Sequence, residues 1–116
     1  MADSSSPIPP GTLEMLILTT LSREKALHGF EIAEVIETMS HDVLRVEEGS
    51  LYPALQRLLV KGWIDGEWGR TSENRRARYY RLTPAGRKQL TAEHSRWAEF
   101  VQAVGLVMGP APEETK

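Results

Sequence analysis

The sequence predicts a mainly α chain with one small β-hairpin and a long final helix. Three observations carry that expectation. Apolar residues gather in four segments long enough for helices, around Leu13–Leu21, Ile32–Met39, Leu51–Leu59 and Leu90–Met108. Between the third and fourth, two strand-like runs, "WIDGEW" and "ARYYRL", flank the polar stretch "GRTSENRR". Glycine and proline stand at the boundaries, with Gly62 after the third segment and Pro84 opening the fourth.

At 116 residues the chain suits one compact domain with a modest core. Residues 1–11, with their serines and prolines, are expected to be a flexible tail. "TLEMLILTTLS" from Thr12 is apolar almost all round. A helix there needs cover on more than one side, and a second chain would supply it. On that argument Leu13, Leu16 and Ile17 are expected at a dimer interface. "HGFEIAEVIETMS" places Ile32, Val35, Ile36 and Met39 at i, i+3, i+4 and i+7, the pattern of an amphipathic helix, with His28 in the turn before it. The short "VLRV", Val43–Val46, reads as a brief strand.

In the third helix Leu51, Leu55, Leu58 and Leu59 form the apolar face, while Ser50, Tyr52, Gln56, Arg57 and Lys61 fall largely outside it. Ser50 suits the N-cap, which puts Pro53 in the first turn, and Gly62 is the stop. After the hairpin Thr83 caps a last helix with Pro84 at its first position. That helix runs to Met108. Its residues Leu90, His94, Trp97, Val101, Val104 and Met108 advance by alternating fours and threes, a seam for packing another helix.

Charge is distributed by region. Between Arg57 and Lys88 nine bases face three acids, a local +6, whereas the whole chain carries a net −2. A basic segment on an acidic body presents one positive face to phosphates and orients the approach. The chain has no cysteine, which excludes disulfides and thiolate metal sites and is compatible with a reducing cytoplasm. The opening lacks a secretory pattern, and no apolar run approaches the roughly 20 residues a membrane helix needs. A cytoplasmic, soluble protein without a membrane partner is expected. The three histidines lie in separate segments, and neither a phosphate loop nor a nucleophile elbow is visible, so no enzyme activity, metal or cofactor is expected.

Helix, helix, polar-edged helix, basic hairpin and long helix follow the order of a winged helix-turn-helix domain with a C-terminal dimerisation helix. A major groove about 12 Å wide admits one helix whose outer face is polar, and a hairpin beside it reaches neighbouring phosphates. The specific stretches "LHGFEI" (27–32), "GSLYPALQRLLVKGWI" (49–64) and "RYYRLTPAGRKQL" (78–90) resemble the PadR family of transcriptional regulators across roughly Leu13–Met108. The resemblance implies a homodimeric winged-helix DNA-binding protein, usually a repressor, often released from its operator by a small molecule. In length the chain is similar to the short subgroup with a single C-terminal helix. On that resemblance the large C-terminal region of longer members is not expected, and the hairpin tip carries more arginine than a purely structural wing requires.

The domain is accordingly expected over 12–83, the dimerisation helix over 84–108, and a second flexible tail over 109–116. Candidate DNA-binding residues are Ser50, Tyr52, Pro53, Gln56, Arg57 and Lys61 on or after the third helix and Arg70, Arg75, Arg76 and Arg78 on the hairpin. Gln56 has the groups to pair with adenine and Arg57 with guanine, and either also suits a phosphate. Tyr52 has the alternative of packing into the domain, and Arg78 that of a strand residue facing solvent. The expected dimer interface comprises Leu13, Leu16, Ile17, Leu90, Trp97, Val101, Val104 and Met108. Two-fold symmetry would bring two copies of Trp97, Phe100 and Val101 together, either as interface core or as an aromatic-walled site for a small aromatic effector. The expected partners are thus double-stranded DNA with a palindromic operator, a second copy of the chain, and that effector. The alternative is a winged-helix module that meets another protein through the same helix face.

Overall fold

A computed structural model describes residues 6–9 and 11–113. Along the chain the elements are β1 (Ser6–Pro7), α1 (Thr12–Arg23), β2 (Leu27–His28), α2 (Gly29–Met39), β3 (Leu44–Arg45), α3 (Glu48–Val60), β4 (Ile64–Arg70), β5 (Arg76–Leu82) and α4 (Pro84–Met108). Four helices and an antiparallel sheet of order β2-β5-β4 form the winged helix-turn-helix arrangement.

Helix α1 lies at the centre, touching α2, α3, α4 and β5. This corrects one expectation. Leu13 and Ile17, assigned from the sequence to a dimer interface, retain 5% and 0% of their exposure and belong to this chain's own core with Leu18 and Leu21. Leu16, assigned there too, is partly buried against the same core. The surrounding elements absorb the all-round apolarity for which a second chain is expected from sequence. The hydroxyl of buried Thr20 donates to the Leu16 carbonyl at 2.8 Å, so no polar group is stranded there.

Helix α2 starts with a capping box. His28 Nδ1 accepts from the Glu31 backbone N–H at 3.4 Å, and Glu31 Oε1 accepts from the His28 N–H at 3.1 Å. Ile32 and Ile36 enter the core as their spacing predicts, whereas Met39 at the end of the same stripe stays exposed. Two consecutive residues in left-handed backbone, His41 (φ 53°) and Asp42 (φ 62°), reverse the chain. The corner is held by Glu37 Oε2, which accepts from the Val46 N–H at 2.9 Å, and by Ser40 Oγ, which accepts from the Leu44 N–H at 3.1 Å. These bonds fix α3 relative to α2.

Helix α3 begins earlier than its sequence suggests. Glu47 is the cap residue, without a side-chain capping bond, so Ser50 lies inside the first turn rather than at the cap and Pro53 lies beyond that turn. Pro53 has no N–H for the Gly49 carbonyl, and both residues are exposed, where water can serve it. Gly62 ends the helix as expected, with φ 76°. Its N–H donates to Leu59 and that of Trp63 to Leu58, a complete Schellman closure.

The amino-terminal stretch expected to be a tail contributes β1, paired in parallel with β3, and Ile8 packs against the core. The remaining parts of the two expected tails, residues 1–5, 10 and 114–116, lie outside the described residues. At the other end Thr83 Oγ1 accepts from the Gly86 N–H at 3.0 Å and caps α4, with Pro84 at the first position. Leu90 still packs on the core, but beyond it α4 leaves the body, and the molecule measures 56 × 37 × 21 Å along its principal axes.

Candidate nucleic-acid interface

Helical geometry sorts the α3 side chains at roughly 100° per residue. Leu51, Ala54, Leu55 and Leu58 face inward and are buried. Opposite them the outward ridge consists of Gly49, Pro53, Gln56 and Val60, all exposed. Gln56 is the one ridge side chain with both a donor and an acceptor. Tyr52 falls on the flank toward the hairpin, and Ser50, Arg57 and Lys61 fall on the flank toward α1.

Pairing in the hairpin decides what its two faces carry. Ile64 opposes Leu82, Gly66 opposes Tyr80, Trp68 opposes Arg78 and Arg70 opposes Arg76. These residues share one face because side chains alternate along a strand. That face is core at its base, where Ile64 and Tyr80 are buried, and cationic toward its tip. The Arg76 guanidinium lies 4.2 Å from the centre of the Trp68 ring. The opposite face is self-neutralised, since Arg81 meets Asp65 at 3.0 Å and Glu67 at 3.6 Å.

Thr71–Arg75 form a closed tip rather than a loose loop. Thr71 Oγ1 accepts from the Glu73 and Arg75 N–H groups at 3.3 and 3.2 Å, and Asn74 takes the left-handed conformation (φ 63°) such a turn requires. Arg70 Nη1 donates to the Asn74 carbonyl at 3.1 Å, which ties that arginine to the tip.

Between the inner hairpin face, the start of α2 and Tyr52 runs a groove of about 850 Å³. Tyr52 can stand there because Gly29 has no side chain: a Cβ at Gly29 would lie 2.9 Å from the tyrosine hydroxyl. Arg78 lies partly buried in the groove wall against Gly66, its guanidinium 5.9 Å from the Tyr80 ring centre, and its Nε is enclosed without a hydrogen-bond partner. The alternative of a strand arginine facing open solvent is therefore excluded. Burial raises the Tyr80 phenol above its ordinary value, and the Arg78 charge opposes that shift. Glu31 and Glu34 line the α2 side of the groove, so positive potential concentrates on the hairpin side.

The "Transcriptional regulator PadR-like family" matches residues 17–92 of this chain. The chain belongs to that family. Among its relatives, it is 33% identical over 103 residues to an uncharacterized protein of Lysinibacillus sphaericus, covering 89% of this chain and 94% of that one. It is 36% identical over 81 residues to transcriptional regulator Rv3488 of Mycobacterium tuberculosis, covering 70% and 72%. It superposes with TM-score 0.73 and 26% identity on the crystal structure of a PadR family transcriptional regulator from Eggerthella lenta, covering 87% and 85%. The winged helix-turn-helix with a long carboxy-terminal helix is therefore a PadR fold, and the chain is a PadR-family transcriptional regulator.

On this PadR frame Tyr52, Arg75, Arg76 and Arg78 come together around one groove, with Arg70 just above it. Ser50, Pro53 and Gln56 are exposed on α3. Arg57 and Lys61 are drawn elsewhere. Arg57 Nε meets Glu14 Oε2 of α1 at 2.7 Å, and Lys61 Nζ meets Glu14 Oε1 at 3.4 Å. Glu14 and the groove aromatics Phe30 and Trp68 are absent from the sequence-based set. The Trp68–Arg76 pairing follows from the hairpin register once that is known, but nothing local marks Glu14. On α4, Trp97, Phe100, Val101, Val104 and Met108 are all exposed, and the Trp97 and Phe100 ring centres lie 5.9 Å apart. Among the described residues no helix is long and apolar enough to cross a membrane.

Proposed function

We propose that this PadR-family regulator acts in the cytoplasm as a homodimeric, sequence-specific DNA-binding repressor whose operator binding is relieved by a small aromatic effector. One observation carries the DNA reading: Tyr52 of α3 and the hairpin arginines Arg75, Arg76 and Arg78 line the same groove, beside an outward helix ridge. The ridge enters a major groove and Gln56 reads a base edge, with Ser50 and Pro53 at the rim. The adjoining phosphate strand enters the protein groove. There the Tyr52 hydroxyl, Arg76 and Arg78 meet it, while Arg70 and Arg75 extend the cationic edge. The enclosed Arg78 Nε stays out of a phosphate's reach, so Arg78 acts on the strand through its charge at the groove wall.

The dimer reading rests on α4. Its exposed stripe of Trp97, Phe100, Val101, Val104 and Met108, continued inward by Leu90, is too extensive for a helix that stays in water. A second copy packed on it gives two α3 ridges about one DNA turn, roughly 34 Å, apart and a palindromic operator. The neighbouring Trp97 and Phe100 rings, doubled by symmetry, form the walls proposed for the effector, with Val101 one turn beyond Trp97. Titration of flat aromatic compounds against tryptophan emission tests this, using Trp97→Phe to identify the reporter. Unchanged emission at saturating ligand would refute the effector site.

A second reading, a module that binds another protein, is favoured by Phe30, Tyr52 and Trp68, which are exposed around the groove as anchor-type aromatics. Selection of duplexes from a random pool, followed by binding across a salt series, separates the two. A PadR repressor enriches a two-fold symmetric site and loses affinity steeply with salt. Failure to enrich any sequence, with salt-independent retention, supports the protein-binding module.

A further inference from the structure

We infer that Glu14 is a charge clamp that keeps two cations at the carboxy-terminal end of α3, Arg57 and the cap residue Lys61, away from DNA and thereby protects operator selectivity. The inference rests on the DNA-binding reading above. Glu14 stands on α1 with its side chain 16% exposed, and its two carboxylate oxygens are divided between Arg57 at 2.7 Å and Lys61 at 3.4 Å. Both cations are one turn apart near the α3 carboxy-terminal end, on the flank toward α1 and away from the hairpin groove. Arg57 remains about half exposed, so neither burial nor distance keeps it from solvent. The carboxylate orients it.

The consequence follows from how proteins bind polyanions. Each Lys or Arg that meets a phosphate adds sequence-independent affinity, whereas discrimination comes from base edges. On the α3 ridge only Gln56 offers a paired donor and acceptor, so the base-reading contribution is small. Two more free cations beside it would strengthen every site and dilute that contribution. Glu14 holds them as an ion-paired group of net +1 and supplies a negative charge on the same flank. It acts through Arg57 and Lys61 rather than on DNA, and is a positioning residue.

Glu14→Gln removes the charge and keeps the shape. Binding of the full-length chain to a labelled random-sequence duplex, measured by fluorescence anisotropy across a sodium chloride series, tests the clamp. The clamp predicts several-fold tighter non-specific binding by the variant, and a plot of log affinity against log salt steeper by about one for each cation released. It also predicts a smaller ratio of operator to random-sequence affinity. Arg57→Gln with Lys61→Gln in the wild-type background is the companion measurement, informative even where Glu14→Gln folds poorly. In the wild-type chain those cations make no phosphate contact. The double variant takes the flank from net +1 to −1 and weakens binding modestly, yet the random-sequence salt slope, which counts contacts, stays near the wild-type value. A shallower slope in that double variant, or an unchanged slope in folded Glu14→Gln, overturns the clamp while leaving DNA binding in place. Absence of duplex binding by the wild-type chain at low salt would instead remove the DNA reading and the clamp with it.

Discussion

Gly86 is pressed against the backbone of Trp63. A Cβ at position 86 would overlap the Trp63 carbonyl oxygen, and that same oxygen accepts the Thr83 N–H at 3.1 Å. Thr83 Oγ1 in turn donates to the Gly62 carbonyl at 2.7 Å. The exit of α3 and the entry of α4 are therefore one joint, which holds the proposed reading helix and the proposed dimer helix in a fixed relation. Gly86→Ala is expected to destabilise the chain by about 3 kcal/mol, because the obstacle is backbone and cannot rotate aside. The thermal unfolding midpoint, followed by circular dichroism, should fall by on the order of 10 °C. An unchanged midpoint would mean that the joint is pliable.

Val101 lies midway along the exposed α4 stripe, about half exposed. A carboxylate there costs nothing in a monomer, but it is desolvated against apolar neighbours once a second copy packs on the stripe. Val101→Asp should scatter light as a monomer where the wild-type chain scatters as a dimer, with the same unfolding cooperativity. Retention of the dimer mass would move the interface to another face.

Arg75 and Arg76 stand at the cationic edge of the hairpin, and the Arg76 guanidinium also covers Trp68. Replacing both with alanine should weaken operator and random duplex alike and flatten the salt dependence by roughly one unit for each phosphate that is no longer neutralised. Uncovering the Trp68 ring should lower stability by no more than about 1 kcal/mol. A variant with weaker binding but an unaltered slope would show that the arginines shape the wing instead of meeting phosphate.

Gln56→Ala makes the opposite prediction. The ridge loses its donor and acceptor without losing charge, so the salt slope stays constant while discrimination at one base pair of each half-site falls by about 1–3 kcal/mol. Competition between the selected operator and single-base variants measures it. Undiminished discrimination would assign base reading to some other group.

Tyr80 links stability to alkaline pH. Burial raises its pKa above the ordinary 10.0, while Arg78 pulls the other way and loses. Above 10.0 the unfolded chain releases this proton before the folded chain does, so the unfolded state binds fewer protons and stability falls as pH rises. The contribution is complete below the unfolded value and disappears as pH climbs through the folded one. Tyr80→Phe keeps the packing and lacks the proton. Urea unfolding on either side of pH 10.0 should show a smaller alkaline loss for the variant, and equal losses would place the effect in other groups.

Legibility from sequence followed the range of the interaction. Gly62, Thr83 and Pro84 were readable because a cap or a stop is made with atoms a few residues away, and all three stand where local rules put them. The start of α3 is ambiguous from sequence because Glu48, Gly49 and Ser50 all suit a first turn. The helix dipole favours the acid as readily as the cap geometry favours the serine. Met39 fits its stripe by spacing, yet lies where α2 has already passed the edge of the core.

By itself the sequence determined the helices, the hairpin and the basic segment between Arg57 and Lys88, since periodicity and turn chemistry are written into neighbouring residues. Tertiary structure alone decided who uses them. It gave Leu13 and Ile17 to the chain's own interior by surrounding α1 with α2, α3, α4 and β5. It brought Glu14 to Arg57 and Lys61 across separations of 43 and 47 residues, and set Arg78 into a wall opposite Gly29 and Tyr52. Periodicity can say that a face is apolar or charged, but only the packed chain fixes which partner that face meets.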